Sequence, residues 1–131
     1  MITILVDHDI EGQAALLWST FIDEGWPIDL PLQMVRFIDV DLAITSPDRI
    51  VWRFVQTQQM FLLTGNRNMD SDDSLEQTIR DENHVGALPI FTVGRVDRMA
   101  ERQYRIECVN RIIEVLLDLD NFRGVGRVFI P

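Results

Sequence analysis

Residues Ile2-Thr3-Ile4-Leu5-Val6 form an almost unbroken apolar and β-branched run, the pattern of a strand buried on both faces. Ala14, Leu17, Trp18, Phe21 and Ile22 then recur at three-and-four spacing, which predicts a helix with one apolar face, and Gly25 supplies its stop. Trp26-Pro27 and Leu30-Pro31 punctuate a loop, after which the aromatic and β-branched character of residues 34–40 predicts a second strand. Ser46-Pro47 reads as a helix start, because serine can accept from a free amide and proline fits the first helical position. Ile50, Val51, Phe54 and Val55 would be the buried face of that helix, and residues 60–64 the third strand.

Residues 65–74 are polar and turn-rich. Asp73 and Glu76 have capping-box spacing for a short helix to about Arg80 that turns Leu75 and Ile79 inward. Residues 88–93 predict a fourth strand. Ile106, Val109, Ile112, Ile113, Leu116 and Leu117 mark a long helix starting near Asp97, and residues 125–130 a final strand. Strands alternating with helices require right-handed crossovers, so the expected fold is α/β: a three-layer sandwich with a mainly parallel central sheet, in one domain spanning residues 1–131. In such sheets ligands bind beyond the carboxyl ends of the strands.

Composition narrows the function classes. The 131 residues are 47% apolar, enough for one core, yet no apolar run approaches the roughly twenty residues of a bilayer span. The opening residues lack the basic start and cleavage site of a signal peptide, and the single cysteine, Cys108, cannot build a disulfide framework; a cytoplasmic, membrane-free location is expected. The formal charge is −9 and all twelve cationic residues are arginine. The absence of lysine excludes lysine-dependent mechanisms, and the acidic field opposes phosphate backbones unless a metal or a local arginine track offsets it.

Acidic and amide side chains gather where the fold would place a site. Asp7, His8 and Asp9 follow the first strand, Asp39 and Asp41 the second, and Asn66, Asn68 and Asp70 the third, while Asp48 opens the intervening helix. Oxygen ligands converging from separate strand ends suit Mg2+ or Mn2+, which keep most of their waters and take one or two carboxylates. The competing reading is that aspartates favour turns and first helical turns for their own local hydrogen bonds.

The order of these residues resembles the PIN-like nuclease domains over nearly the whole chain, in particular the short single-domain relatives of VapC-type toxins of toxin-antitoxin pairs. There the first strand ends in a metal-binding aspartate, as Ile4-Leu5-Val6-Asp7 does, and an aspartate opens a mid-chain helix, as Ser46-Pro47-Asp48 does. A strand then enters a Thr-x-Asp-x-Asp-Phe type motif, matched here by Leu62-Leu63-Thr64-Gly65-Asn66-Arg67-Asn68-Met69-Asp70. The resemblance implies a metal-dependent endoribonuclease acting on RNA. Asp7, Asp48, Asp70 and Thr64 would be its catalytic residues, Asp7, Asp48, Asn66, Asn68 and Asp70 its Mg2+ or Mn2+ ligands, and a homodimer or a protein partner its working assembly. The sequence departs from the motif at Asn66 and Asn68. Each asparagine offers a carbonyl oxygen without the charge that draws a divalent ion. A non-catalytic PIN-like interaction module is the corresponding alternative.

Asp7-His8-Asp9 and Leu63-Thr64-Gly65 also resemble the opening motifs of haloacid-dehalogenase-type phosphatases, with Asp7 as nucleophile and Asp9 as acid and base. That family, like phosphorylation receiver domains, adds a lysine this chain lacks. Arg95, Arg98 and Arg102, with Arg105 behind them, could grip phosphates of a nucleic acid. Glu101 four residues before Arg105 and Asp97 nearby favour a solvated, ion-paired face instead. His8 and His84 lack metal-ligand spacing, Cys108 and Trp18 read as core, and Trp26 lies in a loop.

Overall fold

The computed structural model describes residues 1–65 and 74–131. Five parallel strands, β1 (Ile2–Val6), β2 (Leu32–Val35), β3 (Phe61–Thr64), β4 (Ile90–Val93) and β5 (Arg127–Ile130), form one sheet in the order β2-β1-β3-β4-β5. The crossover helices are α1 (Glu11–Asp23), the single turn α2 (Trp26–Asp29), α3 (Asp48–Gln58), α4 (Leu75–Glu82) and α5 (Arg102–Leu117).

Period-two alternation sorts the strand side chains between two cores. Ile4, Val6, Phe61, Leu63, Phe91, Val93, Val128 and Ile130 point to α1 and α5, meeting Leu17, Phe21, Tyr104, Val109 and Ile112. Leu5, Leu62 and Ile90 point the other way, onto Val51, Trp52 and Val55 of α3 and Leu75 of α4. The three-layer α/β sandwich expected from the apolar pattern is therefore the observed one.

Element ends differ from the sequence reading for identifiable reasons. The second strand was expected through Val40, but the chain leaves the sheet after Val35. The Asp39 carboxylate accepts from the Arg36 amide at 2.8 Å, closing a 3-10 turn over Phe37–Val40, and Asp41 follows in left-handed conformation at φ 60°. In α3, Ser46 does not cap; its Oγ donates to the Ala43 carbonyl at 2.7 Å, and Pro47 precedes the first helical residue, Asp48. Trp52 joins Val51 and Val55 in the core, whereas Ile50, expected inside, is 46% exposed. Ile22 and Leu117, likewise expected inside, are also exposed.

The cap of α4 is Ser74, whose Oγ accepts from the Gln77 amide at 3.1 Å; Asp73, the expected cap, lies outside the described residues. The last long helix was expected from Asp97. Instead Val96–Ala100 form a 3-10 turn, and α5 begins at Arg102. Arg105 anchors that turn, donating to the Met99 and Ala100 carbonyls at 2.9 and 3.0 Å and to Thr20 Oγ1 at 3.0 Å, so the expected Glu101–Arg105 ion pair is replaced by Arg98–Glu101. Gly25 ends α1 at φ 80°, as its position after the apolar face predicts.

Cys108 is fully buried, its thiol donating to the Ile130 carbonyl at 3.4 Å. Burial pushes its pKa up to about 12, leaving almost no thiolate at neutral pH. A disulfide reagent is expected to leave Cys108 unlabelled in the native protein and to label it on unfolding. Leu63→Ala, which empties the core beneath the central strand, is expected to cost about 2–5 kcal/mol in denaturant titration.

Candidate active site at the carboxyl edge

The chain moves outward from β1 to β2, then returns across β1 through α3 to form β3. That reversal leaves a crevice beyond the carboxyl ends of β1 and β3, where adjacent crossovers diverge to opposite faces. Register decides what enters it. Val6 lies opposite Leu63, and the Asp7 amide continues the pairing by donating to the Leu63 carbonyl at 2.9 Å. Asp7 lies two residues beyond Leu5 and Thr64 two beyond Leu62, so both side chains belong to the sheet face covered by α3 and α4. The first residue of α3 is Asp48.

These residues frame a pocket of about 100 Å3. Asp7, His8, Asp9, Ser46 and Asp48 supply its polar surface, with Leu62 and Val51 beneath. Fully buried Thr64 donates its hydroxyl to Asp7 Oδ2 at 2.6 Å, fixing the carboxylate's orientation. Asp48 Oδ2 accepts from the Leu75 amide at 3.1 Å, so this carboxylate also caps the start of α4. His8 turns to Glu11, with Nδ1 3.1 Å from Oε2.

Asp7 is electrostatically unfavourable as an anion. Burial raises its pKa most, the hydroxyl of Thr64 opposes that rise, and the charges of Asp9 and Asp48 add to it. Among the described residues lining the pocket there is no arginine to offset them. A divalent cation would do so. Three lining carboxylates, Asp7, Asp9 and Asp48, fit the sparse protein ligation of a water-rich Mg2+ or Mn2+ better than the dense oxygen cage of calcium. Among the described residues no cluster of three or more His, Cys, Asp or Glu side chains forms a preassembled metal cage.

Asp7, Asp48 and Thr64 are thus brought together from three segments. Asn66, Asn68 and Asp70 lie outside the described residues. Asp39, grouped with the acidic residues on sequence grounds, is drawn away by Arg36. Donation from the Arg36 amide and then its guanidinium lowers the Asp39 pKa, the ordinary consequence of a local turn carboxylate. Asp41 is not among the residues lining the pocket. Ser46 is a member that sequence reasoning assigned to capping. Its position two residues before Asp48, in a segment folded back by the bond to Ala43, is what brings it to the rim.

The three arginines considered for phosphate binding do not form one helical face. Arg95 pairs with Asp97 at 2.8 Å and Arg98 with Glu101 at 3.2 Å, both ahead of α5, while Arg102 at its start pairs with Asp23 at 3.3 Å. Arg98 also lies over the Tyr104 ring, 4.8 Å from its centroid.

The raised Asp7 pKa sets the sign of a pH effect. Between the unfolded value and the higher folded one, the native state binds more protons, so ionising Asp7 lowers stability as pH rises through that window. Metal-free Asp7→Asn is therefore expected to melt no lower than wild type at pH 7, with any advantage vanishing below the ordinary carboxylate range. Thr64→Val, which removes a hydrogen bond to a charged acceptor, is expected to cost about 1.5–3 kcal/mol at pH 7. Thermal melts of both variants across pH check these signs.

No family model, curated protein or solved structure matches this chain, so the site rests on its own chemistry.

Proposed function

We propose that this protein is a PIN-like, Mg2+- or Mn2+-dependent endoribonuclease, or a descendant of one whose metal site is weakened at Asn66 and Asn68. The observation that carries the reading is the meeting of Asp7 and Asp48 in one pocket at the β1–β3 crevice, in an acidic field with no lining arginine among the described residues. Asp7 and Asp48 would hold the ion, with Asn66, Asn68 and Asp70 as further oxygen donors. When bound, the ion supplies a water of lowered pKa and neutralises charge on the phosphate under attack. Thr64 keeps the Asp7 carboxylate aimed into the pocket, above buried Leu62 and Val51.

The chain's own charge favours such an ion. The net charge is −9, and Arg95, Arg98 and Arg102, each engaged by a carboxylate, offer RNA little free positive charge. A homodimer or a protein partner would add surface to so small a domain.

A second reading has its own observation. Asp48 already serves α4 by accepting from the Leu75 amide, so it would be retained in a non-catalytic interaction module whose metal chemistry had been lost. Calorimetry separates the two. The nuclease reading expects Mn2+ binding by wild type, weakened by Asp7→Asn and by Asp48→Asn, and Mn2+-dependent cleavage of single-stranded RNA that falls at least about a hundredfold in Asp7→Asn. Silence toward millimolar Mn2+ would overturn the nuclease reading and leave the interaction module standing, and equal cleavage by wild type and Asp7→Asn would assign the activity to a contaminant.

A further inference from the structure

On the opposite face of the sheet, between α1 and β2, lies a second cleft of about 180 Å3. Ala14, Ala15 and Trp18 of α1 and Met34 of β2 supply its apolar walls. Its volume is on the scale of one aromatic ring, and it opens to solvent. Three charged side chains, Glu11, Arg36 and Asp39, also line it. The site pocket and this cleft adjoin along the chain: Val6 lines the cleft and Asp7 the pocket, and the His8–Glu11 pair joins one lining to the other.

We infer that this Trp18 cleft is a nucleobase subsite, which receives a base of the same single-stranded RNA whose phosphate is held at Asp7 and Asp48. The inference rests on the ribonuclease reading and names how that substrate would be gripped. Single strands are held by stacking of bases on aromatic side chains, an interaction worth about 1–3 kcal/mol per base and indifferent to the protein's net charge. That independence matters here, because the arginines offered for phosphate contacts are engaged by carboxylates. Indole and thioether surfaces suit a base, and the small side chains of Ala14 and Ala15 leave room for it beside the helix.

The rim chemistry adds a preference. Arg36 donates to both oxygens of Asp39, three times in all, which leaves about one of its four acceptor positions; Glu11 faces His8 through Oε2 and keeps more capacity for an incoming donor. Carboxylates accept from exocyclic amino groups such as cytosine N4. The cleft therefore favours the bases that carry an exocyclic amino group, adenine, cytosine and guanine, over uracil, which has none. An apolar protein segment would satisfy the walls and leave these carboxylates unmatched.

The test uses a position outside the proposed metal site. Ala15 is exposed on α1, so Ala15→Trp fills the cleft from its rim at little cost to the core. Adenosine, cytidine and uridine, which carry no phosphate and need no metal, are titrated while the Trp18 indole resonance is followed by NMR, with Trp18→Phe providing its assignment. Adenosine and cytidine are expected to shift it, with uridine about tenfold weaker, the equivalent of one lost hydrogen bond to a charged acceptor. Ala15→Trp is expected to abolish the response and to raise KM for Mn2+-dependent RNA cleavage with kcat little changed. Asp7→Asn is expected to keep nucleoside binding while losing cleavage. Nucleoside binding without cleavage by wild type would overturn the ribonuclease reading and leave the base site standing. No nucleoside response, equal response to all three, or unchanged binding by Ala15→Trp would overturn the base site whatever the cleavage result.

Discussion

The site depends on one register, that of β1 against β3. Leu5 faces Leu62 and Val6 faces Leu63, and the bond from the Asp7 amide to the Leu63 carbonyl extends the ladder one step past the strand. A slip of β1 by one residue would turn Leu5 out of the core beneath α3, turn Ile4 and Val6 out of the core beneath α1 and α5, and send Asp7 toward α1. The burial of Ile4, Leu5, Leu62 and Leu63, all within 3% of complete, makes such a slip costly on both faces at once. The apolar strands thus position a carboxylate they do not contain. The same alternation separates the acidic pocket from the Trp18 cleft, because Asp7 and Val6 are neighbours in sequence and belong to opposite faces.

Within that frame, Asp7 is held in place by contacts that do not make it comfortable. Thr64 orients the carboxylate and partly offsets its burial, while Asp9 and Asp48 add like charge. A group fixed in position and short of compensation is where a cation would be favoured, which is the physical ground for the proposed role of Asp7. Asp48 differs. Its hydrogen bond to the Leu75 amide joins the start of α3 to the start of α4, so its removal would disturb a helix cap as well as any ion. The two aspartates are therefore unequal probes of function, and Asp7 is the cleaner one.

How much of this was legible in the sequence follows from the range of each interaction. The strand cores and the α/β class could be read because burial repeats with period two or 3.6 and needs no knowledge of partners. Asp7 and Asp48 could be placed because each adjoins such an element. What escaped was set by single side chains. Asp39 converts an apparent strand continuation into a turn by capturing Arg36, Ser46 bonds backward to Ala43, and Arg105 pins the turn that delays α5. Each acts over a few residues against an equally good hydrophobic pattern. The cleft at Trp18 was out of reach for another reason: its walls come from α1 and β2, and only packing shows that Ala15 leaves a gap beside Met34.

The distribution of charge then constrains how an RNA strand could be held. Among the described residues the arginines other than Arg105 pair with carboxylates, most of them as exposed neighbours along the chain. Exposed pairs of this kind are worth about 0–1 kcal/mol each, so a phosphate could displace one carboxylate from its arginine at small cost. It would still meet the displaced carboxylate nearby and a net charge of −9 beyond it. Redirected arginines alone therefore make a poor grip on a polyanion. On the proposed reading, affinity would come from terms that the mean field does not oppose: a divalent ion held by Asp7 and Asp48, and apolar contact with a base. The acidic pocket and the Trp18 cleft, whose linings meet at Val6 and Asp7 at the end of β1, are the places proposed for each.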